Sequence, residues 1–164
     1  MIKFRQSLIL LAIFIFVTFS FGANASSKKL PIPRFATIKS NEVNARTGPA
    51  IKCPIEWVFI KKGEPIEIIA EYEHWRNIRD INGEGGWVHL SLLSTKRAVI
   101  IISKEAAPLT KSPTSNSKVV AIISPNVRCQ LNKCKDNWCR VKYKHYEGWL
   151  PRKVLWGVYK DEKF

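Results

Sequence analysis

The feature of this sequence that most constrains its fold is an internal repeat. Trp75 and Trp138 lie 63 positions apart, and Trp87 and Trp149 lie 62 positions apart, so the two copies stay in register except for one shorter hairpin. The matching segments are 58–69, 75–79 and 86–88 in the first copy and 119–131, 138–142 and 148–150 in the second. Such a duplication predicts two copies of one small domain rather than a single larger domain.

Both copies carry the pattern of short β-strands. Apolar and polar residues alternate, as at Ile66 and Ile68 or at Cys129 and Leu131, and this period of two is typical of half-buried strands. Turn-forming residues separate the runs at 47–49, 62–65, 82–86 and 112–116. About five short strands in about 60 residues predict an all-β fold of two small barrels. The apolar run 98–102 is expected to be the first strand of the second barrel.

The beginning of the chain has the pattern of a secretory signal peptide. Lys3 and Arg5 precede an apolar run at 8–21, and Ala23 and Ala25 supply the small residues at which signal peptidase cleaves. The run is shorter than the roughly 20 apolar residues that span a bilayer. We therefore expect cleavage after Ala25 and a periplasmic or secreted protein; the alternative is a segment retained as an anchor.

The chain is strongly basic, with 27 Lys and Arg against 13 Asp and Glu, and cleavage would remove only Lys3 and Arg5 from this balance. Small domains usually carry a net charge of about 2 to 8 in magnitude. The excess predicts a polyanionic environment, such as cell-wall polymers, acidic partner proteins or an anionic membrane surface. Nucleic acid fits the charge but not the export signal, so we expect no nucleic-acid partner.

Export gives the four cysteines a context in which disulfides form. Cys134 and Cys139 flank a predicted hairpin turn, so a bond between them is geometrically reasonable, although spacing alone does not establish the pairing. Cys53 and Cys129 are either free or paired. A zinc site is a weaker alternative, because the spacing is not that of Cys-x-x-Cys pairs, and we expect no metal and no cofactor.

Residues 40–49, with the sequence SNEVNARTGP, resemble the opening motif VNVRSGPG of bacterial SH3-like domains, with departures at Ala45 and Ala50. The segments 75–80, 85–89 and 91–94 resemble the closing strands of the tandem SH3-like proteins of alphaproteobacterial envelopes. The second copy lacks the opening motif, but 138–141, 148–150 and 155–159 are similar to the second domain of that family.

This resemblance implies two SH3-like β-barrels in tandem that recognise peptidoglycan or envelope proteins, often as the targeting part of a wall hydrolase. Together with the repeat and the beginning of the chain, it gives the predicted division: a signal peptide (1–25), an extended lead-in (26–35), a first SH3-like domain (36–95), a second (96–159) and a C-terminal tail (160–164). The last four residues are expected to be frayed.

Catalysis is not expected from these residues. Cys139 and His145 are the one cysteine and histidine pair close in sequence, but a cysteine beside a strand tryptophan more often forms a disulfide, and a packed small barrel lacks the pocket that a catalytic pair requires. The carboxylates lie mainly at hairpin turns, where solvated charges are common.

The six tryptophans fall into two groups. Four are expected in the barrel core or at its rim: Trp75, Trp87, Trp138 and Trp149. Trp57 and Trp156 have less structural reason to be present and are candidates for stacking on a sugar or peptide. Arg46, Lys61 and Lys62, which lie near Trp57 in sequence, would pair with carboxylates or phosphates of a ligand. A generic solvated basic face is the alternative.

The sequence thus predicts a non-catalytic exported binding module for peptidoglycan or another envelope component. The alternative is a structural or adaptor protein that acts in protein–protein or membrane-surface interactions of the envelope.

Overall fold

The computed structural model describes residues 30–163, which fold into two antiparallel sheets of seven strands each. The first sheet contains β1 (Arg34–Ile38), β2 (Val43–Arg46), β3 (Ile55–Phe59), β4 (Pro65–Tyr72), β5 (Trp75–Arg79), β6 (Gly85–His89) and β7 (Leu93–Ser94). The second sheet contains β8 (Ala98–Ile101), β9 (Ala107–Thr110), β10 (Val119–Ile123), β11 (Arg128–Lys135), β12 (Trp138–Tyr143), β13 (Tyr146–Pro151) and β14 (Leu155–Trp156). The predicted signal peptide and its cleavage site lie outside the described residues.

The two sheets have the same strand order, which confirms the duplication. The first runs β3-β2-β6-β5-β4-β1-β7, and the second runs β10-β9-β13-β12-β11-β8-β14, so that each strand of one sheet has its counterpart seven strands later. The outermost strands of each sheet do not pair with each other. Hydrogen bonding therefore leaves both sheets open at two edges and does not close the barrels that the sequence predicted. The only helical elements within 30–163 are two short 3-10 turns, at Leu90–Leu92 and Arg152–Val154.

Each sheet encloses its own hydrophobic core, built from the alternating apolar positions. The first core consists of Ala36, Ile38, Val43, Ala45, Phe59, Ile66, Ile68, Ile78 and Val88. The second consists of Val99, Ile101, Ala107, Leu109, Ile123, Cys129, Leu131, Cys139, Val141, Leu150, Leu155 and Val158. Ala107 and Leu109 take the places in β9 that Val43 and Ala45 take in β2. The second copy thus forms the same hairpin without the opening motif.

The glycines of the repeated Gly-Trp pairs allow neighbouring strands to approach closely. A Cβ at Gly86 would lie 2.7 Å from the carbonyl oxygen of Arg46, and the positive φ of Gly86 (131°) is itself unfavourable for other residues. A Cβ at Gly148 would lie 2.6 Å from the carbonyl oxygen of Thr110. This contact explains why both copies keep glycine immediately before Trp87 and Trp149.

The apolar run after the first domain forms β8, as predicted, but the expectation of a frayed tail is wrong at one position. At the other end, β1 begins at Arg34, within the extended lead-in, and the buried Phe35 ring lies against the rings of Trp156 and Tyr159 at 5.1 and 4.6 Å. The tail is not frayed at Glu162, whose carboxylate pairs with Arg97 and accepts a hydrogen bond from the backbone N–H of Tyr159.

Buried polar side chains join the two domains. Arg128 of β11 donates to both carboxylate oxygens of Glu64, through Nε at 2.9 and 3.1 Å and Nη2 at 2.7 Å. The Tyr159 hydroxyl donates to Glu67 at 2.6 Å, and burial together with this bond raises the pKa of Tyr159. Because these groups satisfy each other across the junction, the two sheets form one unit rather than two domains on a flexible linker.

Within the described residues, no helix has the length and apolar character needed to cross a membrane.

Candidate functional site

The predicted ligand-binding residues do not form one cluster, and Arg46 in particular has a structural partner. Its guanidinium donates to the carbonyl oxygen of Cys53 at 2.8 Å, and the neighbouring Thr47 N–H donates to the Pro54 carbonyl at 3.0 Å. These bonds close the loop between β2 and β3. Arg46 therefore shapes the loop that the sequence singled out, and its guanidinium is already engaged there.

Trp57 lies on β3, an edge strand of the first sheet, and remains 39% exposed. Exposed apolar side chains lie on β3 and on the segments next to it. We name this set the edge-strand surface; it consists of Ile51, Ile55, Trp57, Val58 and Ile60. Strands at the edge of a sheet present unpaired backbone groups, and exposed apolar side chains beside them are typical of interaction surfaces.

Lys61 and Lys62 lie far from Arg46, at the opposite end of β3. Val43 pairs with Phe59 in the β2–β3 ladder while Arg46 pairs with Ile55, so a strand about 17 Å long separates the two basic positions. Both lysines are exposed. They cannot join Arg46 in contacting one small anionic group.

Trp156 has a packing role that the sequence did not reveal. Its ring meets the Phe35 ring of the first domain edge-on at 5.1 Å, and the side chain is half-buried. Packing at the domain junction is therefore a structural role for Trp156, and its stacking on a ligand stays a prediction.

Each of the four repeat tryptophans is half-buried, and none of them is among the described residues that form or pack against the two cores. Trp87, Trp138 and Trp149 each adjoin a core residue on their strand, so their side chains point to the opposite face of the sheet. Trp75 meets the His89 ring edge-on at 5.7 Å, and the Lys133 ammonium lies 5.7 Å from the centre of the Trp149 ring. Half-burial leaves part of each indole accessible. Trp87 lines a pocket of about 400 Å³ in the first domain, and Trp138 lines a larger one in the second.

This Trp138 pocket has a volume of about 740 Å³ and combines apolar and basic walls. Its lining consists of Ser115, Asn137, Trp138, Pro151, Arg152, Lys153, Leu155, Val158 and Lys160. The sequence pattern predicted a structural role for Trp138, and it did not single out Asn137, Lys153 or Lys160 as site residues. The signal available in the sequence was the basic pair Arg152 and Lys153 directly after the second Gly-Trp motif.

Arg152 forms the buried base of the Trp138 pocket. Its guanidinium donates to the backbone carbonyls of Asp136 (3.0 and 3.1 Å), Tyr159 (2.5 Å) and Glu162 (3.0 Å). These bonds tie the β11–β12 turn to the C-terminal tail and keep the pocket wall in place. Burial alone would raise the pKa of Glu162, but this pKa lies below its ordinary value. The hydrogen bond from Arg97 and the positive charges of Arg97 and Arg152 outweigh the effect of burial.

The cysteines divide into one disulfide and two free thiols. Cys134 and Cys139 face each other across the β11–β12 hairpin and are bonded, so the sulfur of Cys139 is not available to His145 as a nucleophile. Cys129 is free and buried in the second core, where burial raises its pKa to about 11. Cys53 is free and half-buried in the β2–β3 loop. Across residues 30–163, no three histidine, cysteine or acidic side chains gather as metal ligands would.

Comparison with known proteins gives a family. The family model described as "Bacterial SH3 domain" matches the chain twice, at residues 39–95 and 103–157, which together make up more than half of its length. A relative in Bacillus subtilis (strain 168), named putative N-acetylmuramoyl-L-alanine amidase YrvJ, is 27% identical over 131 residues. The match covers 73% of this chain and 25% of the relative, so the chain spans a quarter of the length of that protein.

Two solved structures are also similar in part. NlpC1 from Trichomonas vaginalis is 16% identical with a TM-score of 0.35, covering 80% of this chain and 48% of that one. NlpC2 from the same organism is 13% identical with a TM-score of 0.37, covering 83% of this chain and 52% of that one. Both TM-scores are below 0.5. The two matches to the family model show that the chain belongs to the bacterial SH3 domain family and carries two copies of the domain.

Proposed function

We propose that this chain is an exported, non-catalytic binding module that recognises peptidoglycan or another component of the bacterial envelope. The observation that carries the proposal is the Trp138 pocket, in which an accessible indole lies beside two exposed lysines and an asparagine. Family membership adds support, as does the relative in Bacillus subtilis, whose name describes an amidase of N-acetylmuramoyl-L-alanine, the sugar–peptide linkage of the wall.

The composition of the pocket suits a ligand that is part sugar and part peptide. The face of an indole stacks on the apolar face of a sugar ring or on an acyl group, while Asn137 can exchange hydrogen bonds with an N-acetyl group. Lys153 and Lys160 carry the charge needed to attract the carboxylates of a peptide. Apolar walls with a few convergent polar groups are the usual composition of a small-ligand site.

A binding role without catalysis is supported by the state of the candidate nucleophiles. Cys139 is bonded to Cys134, and Cys129 is buried with its pKa raised to about 11, so neither supplies a thiolate at neutral pH. Cys53 is a free, half-buried thiol, but it does not line the Trp138 pocket. The disulfide also agrees with an oxidising compartment, as the basic and apolar beginning of the chain suggests.

Co-sedimentation with purified insoluble peptidoglycan tests the proposal, using residues 26–164 at moderate salt. Trp138→Leu keeps an apolar side chain at this position but removes the aromatic face that would stack on the ligand. We expect peptidoglycan to retain this variant at least about tenfold more weakly. Trp149→Leu is the matched control, because Trp149 has similar burial in the same domain but lies outside the pocket. Soluble wall fragments in the supernatant would contradict the absence of catalysis.

The remaining outcomes are also informative. Retention that is equal in both variants and disappears with added salt would indicate charge attraction alone and would contradict the pocket. Absence of sedimentation for the unaltered chain would overturn the peptidoglycan proposal.

A second candidate function is an adaptor that binds another envelope protein through the edge-strand surface. The observation that favours it is the exposed apolar side chains along the unpaired edge of β3, to which an extended segment could add as a further strand. Replacement of Val58 by lysine would place a charge on this edge. Loss of a captured partner in Val58→Lys, with peptidoglycan retention unchanged, would favour the adaptor.

A further inference from the structure

A second concave surface lies between the two domains and is lined by basic side chains. This interdomain cleft has a volume of about 520 Å³, and its charged lining consists of Lys39, Lys62, Lys96, Arg97 and Arg128. No aspartate or glutamate is among its lining residues. Five cations around one concavity are unusual, because like charges repel each other unless something nearby neutralises them.

Hydrogen bonds that start from the end of β1 bring the three lysines together. The Gly63 N–H donates to the Ile38 carbonyl at 2.8 Å, and this places Lys62 beside Lys39. The Thr37 hydroxyl donates to the carbonyl of Lys96 at 2.9 Å, which adds the third position. These bonds join the end of β1, the β3–β4 turn and the segment after β7, so the lysines are neighbours in the fold but distant in sequence.

The two arginines of the cleft already have carboxylate partners at the domain junction. Arg128 is held by both oxygens of Glu64, and Arg97 pairs with Glu162 and donates to the Gly157 carbonyl at 2.7 Å. Their charges are therefore compensated. The three lysines are exposed, and none of them forms an ion pair with any residue that the structure describes. The cleft thus has about three uncompensated positive charges.

We propose that the interdomain cleft binds a ligand with closely spaced phosphate groups. Planar carboxylates are best matched by the two-pronged guanidinium of arginine, and both arginines of this cleft are engaged. The three lysines of the cleft present ammonium groups on flexible side chains. These groups act as point charges and suit a compact ligand group with more than one negative charge. This site is separate from the Trp138 pocket and does not depend on the proposed peptidoglycan binding.

Two sources could supply such phosphates, a phosphate-containing polymer or the headgroups of anionic lipids. The shared requirement is that Lys39, Lys62 and Lys96 contact phosphate oxygens together. A concave cleft admits a chain or a protruding headgroup, and the two sources differ in whether the ligand is presented by a membrane.

Titration of residues 26–164 with inorganic tripolyphosphate at low salt, followed by calorimetry, tests the proposal. Lys62→Glu reverses one of the three charges, and we expect at least about tenfold weaker binding, since reversing a unit charge about 6 Å from a single unit of ligand charge has roughly this effect in water. Lys104→Glu is the matched control: Lys104 is also exposed and unpaired among the described residues, but does not line the cleft. The control makes the same change in net charge.

Tripolyphosphate binding that is weakened by Lys62→Glu and retained in Lys104→Glu would support the site. Equal weakening by both variants, or no binding to the unaltered chain, would overturn it. In a second arm, the same proteins are sedimented with vesicles of phosphatidylglycerol and phosphatidylcholine. Vesicle binding that depends on Lys62 supports the site with a lipid headgroup as the source, and its absence alongside tripolyphosphate binding supports the site with a polymer as the source.

Discussion

The ion pair between Glu64 and Arg128 is expected to stabilise the junction of the two domains by an amount that a double-mutant cycle can measure. Arg128→Met removes three hydrogen bonds to Glu64 and one to the Asn126 carbonyl, and it leaves the Glu64 carboxylate, whose side chain is only 10% exposed, without a partner. Breaking a fully buried pair costs about 3–5 kcal/mol. Because Glu64 keeps some access to water, we expect a loss of about 3 kcal/mol in the free energy of unfolding.

The reverse change is expected to cost less. Glu64→Gln keeps the shape and one acceptor oxygen, and the Arg128 side chain, which is 33% exposed, can turn its charge toward water. We expect a loss of about 1.5 kcal/mol, and a loss of only about 2 kcal/mol for the double variant, because it leaves no unpaired charge. The coupling free energy between the two positions would then be about 2.5 kcal/mol, within the range found for residues in contact.

Urea denaturation followed by tryptophan fluorescence measures these free energies of unfolding. The pair Arg140 and Glu147, at 3.0 Å within the second sheet, is the control, because its side chains are 43% and 36% exposed and such surface pairs contribute at most about 1 kcal/mol. Coupling of the same size in both pairs, or equal losses for Arg128→Met and Glu64→Gln, would refute the reasoning from burial.

Three further predictions concern acid, reduction and alkylation. The pKa of Glu162 is lower in the folded protein than its ordinary value of 4.5, so its contribution to stability is complete above pH 4.5 and is lost as the pH falls through the folded value; Glu162→Gln should flatten this part of a plot of stability against pH. Reduction of the disulfide between Cys134 and Cys139, which are five positions apart, should lower the free energy of unfolding by about 2 kcal/mol, and urea denaturation with and without a phosphine reductant measures this. Iodoacetamide at pH 8 should modify Cys53 in the folded protein but not the buried Cys129, as read by mass spectrometry; modification of both at equal rates would contradict the burial of Cys129.

The sequence was sufficient for the features that depend on local pattern. The spacing of Trp75 and Trp87 from Trp138 and Trp149 reported the duplication, because each copy repeats the same alternation and the same turns. Strand β8 was visible as an apolar run, since a chain segment buried on both faces needs no polar alternation. The predicted hairpin between Cys134 and Cys139 allowed a bond between them without establishing it, and the structure contains that bond.

The candidate site was predicted less well, because it depends on contacts between distant parts of the chain. Arg46 and Trp57 are close along β2 and β3, but the guanidinium of Arg46 is engaged by a carbonyl of the loop. Trp156 looked free in the sequence because its partner, Phe35, lies 121 positions earlier. The sequence pattern is the same around all four repeat tryptophans, so it could not show that Trp138 lines a pocket.

By itself, the sequence determined that the chain forms two copies of one small all-β domain, because period-two alternation, turn residues and glycine before tryptophan act over a few positions. Only the tertiary structure decided how the domains meet. The ion pairs of Glu64 and Glu162, the rings around Phe35 and the lysines of the interdomain cleft all join residues that are far apart in the chain. Burial and charge compensation favour such contacts only in the folded protein, so the local sequence pattern does not reveal them.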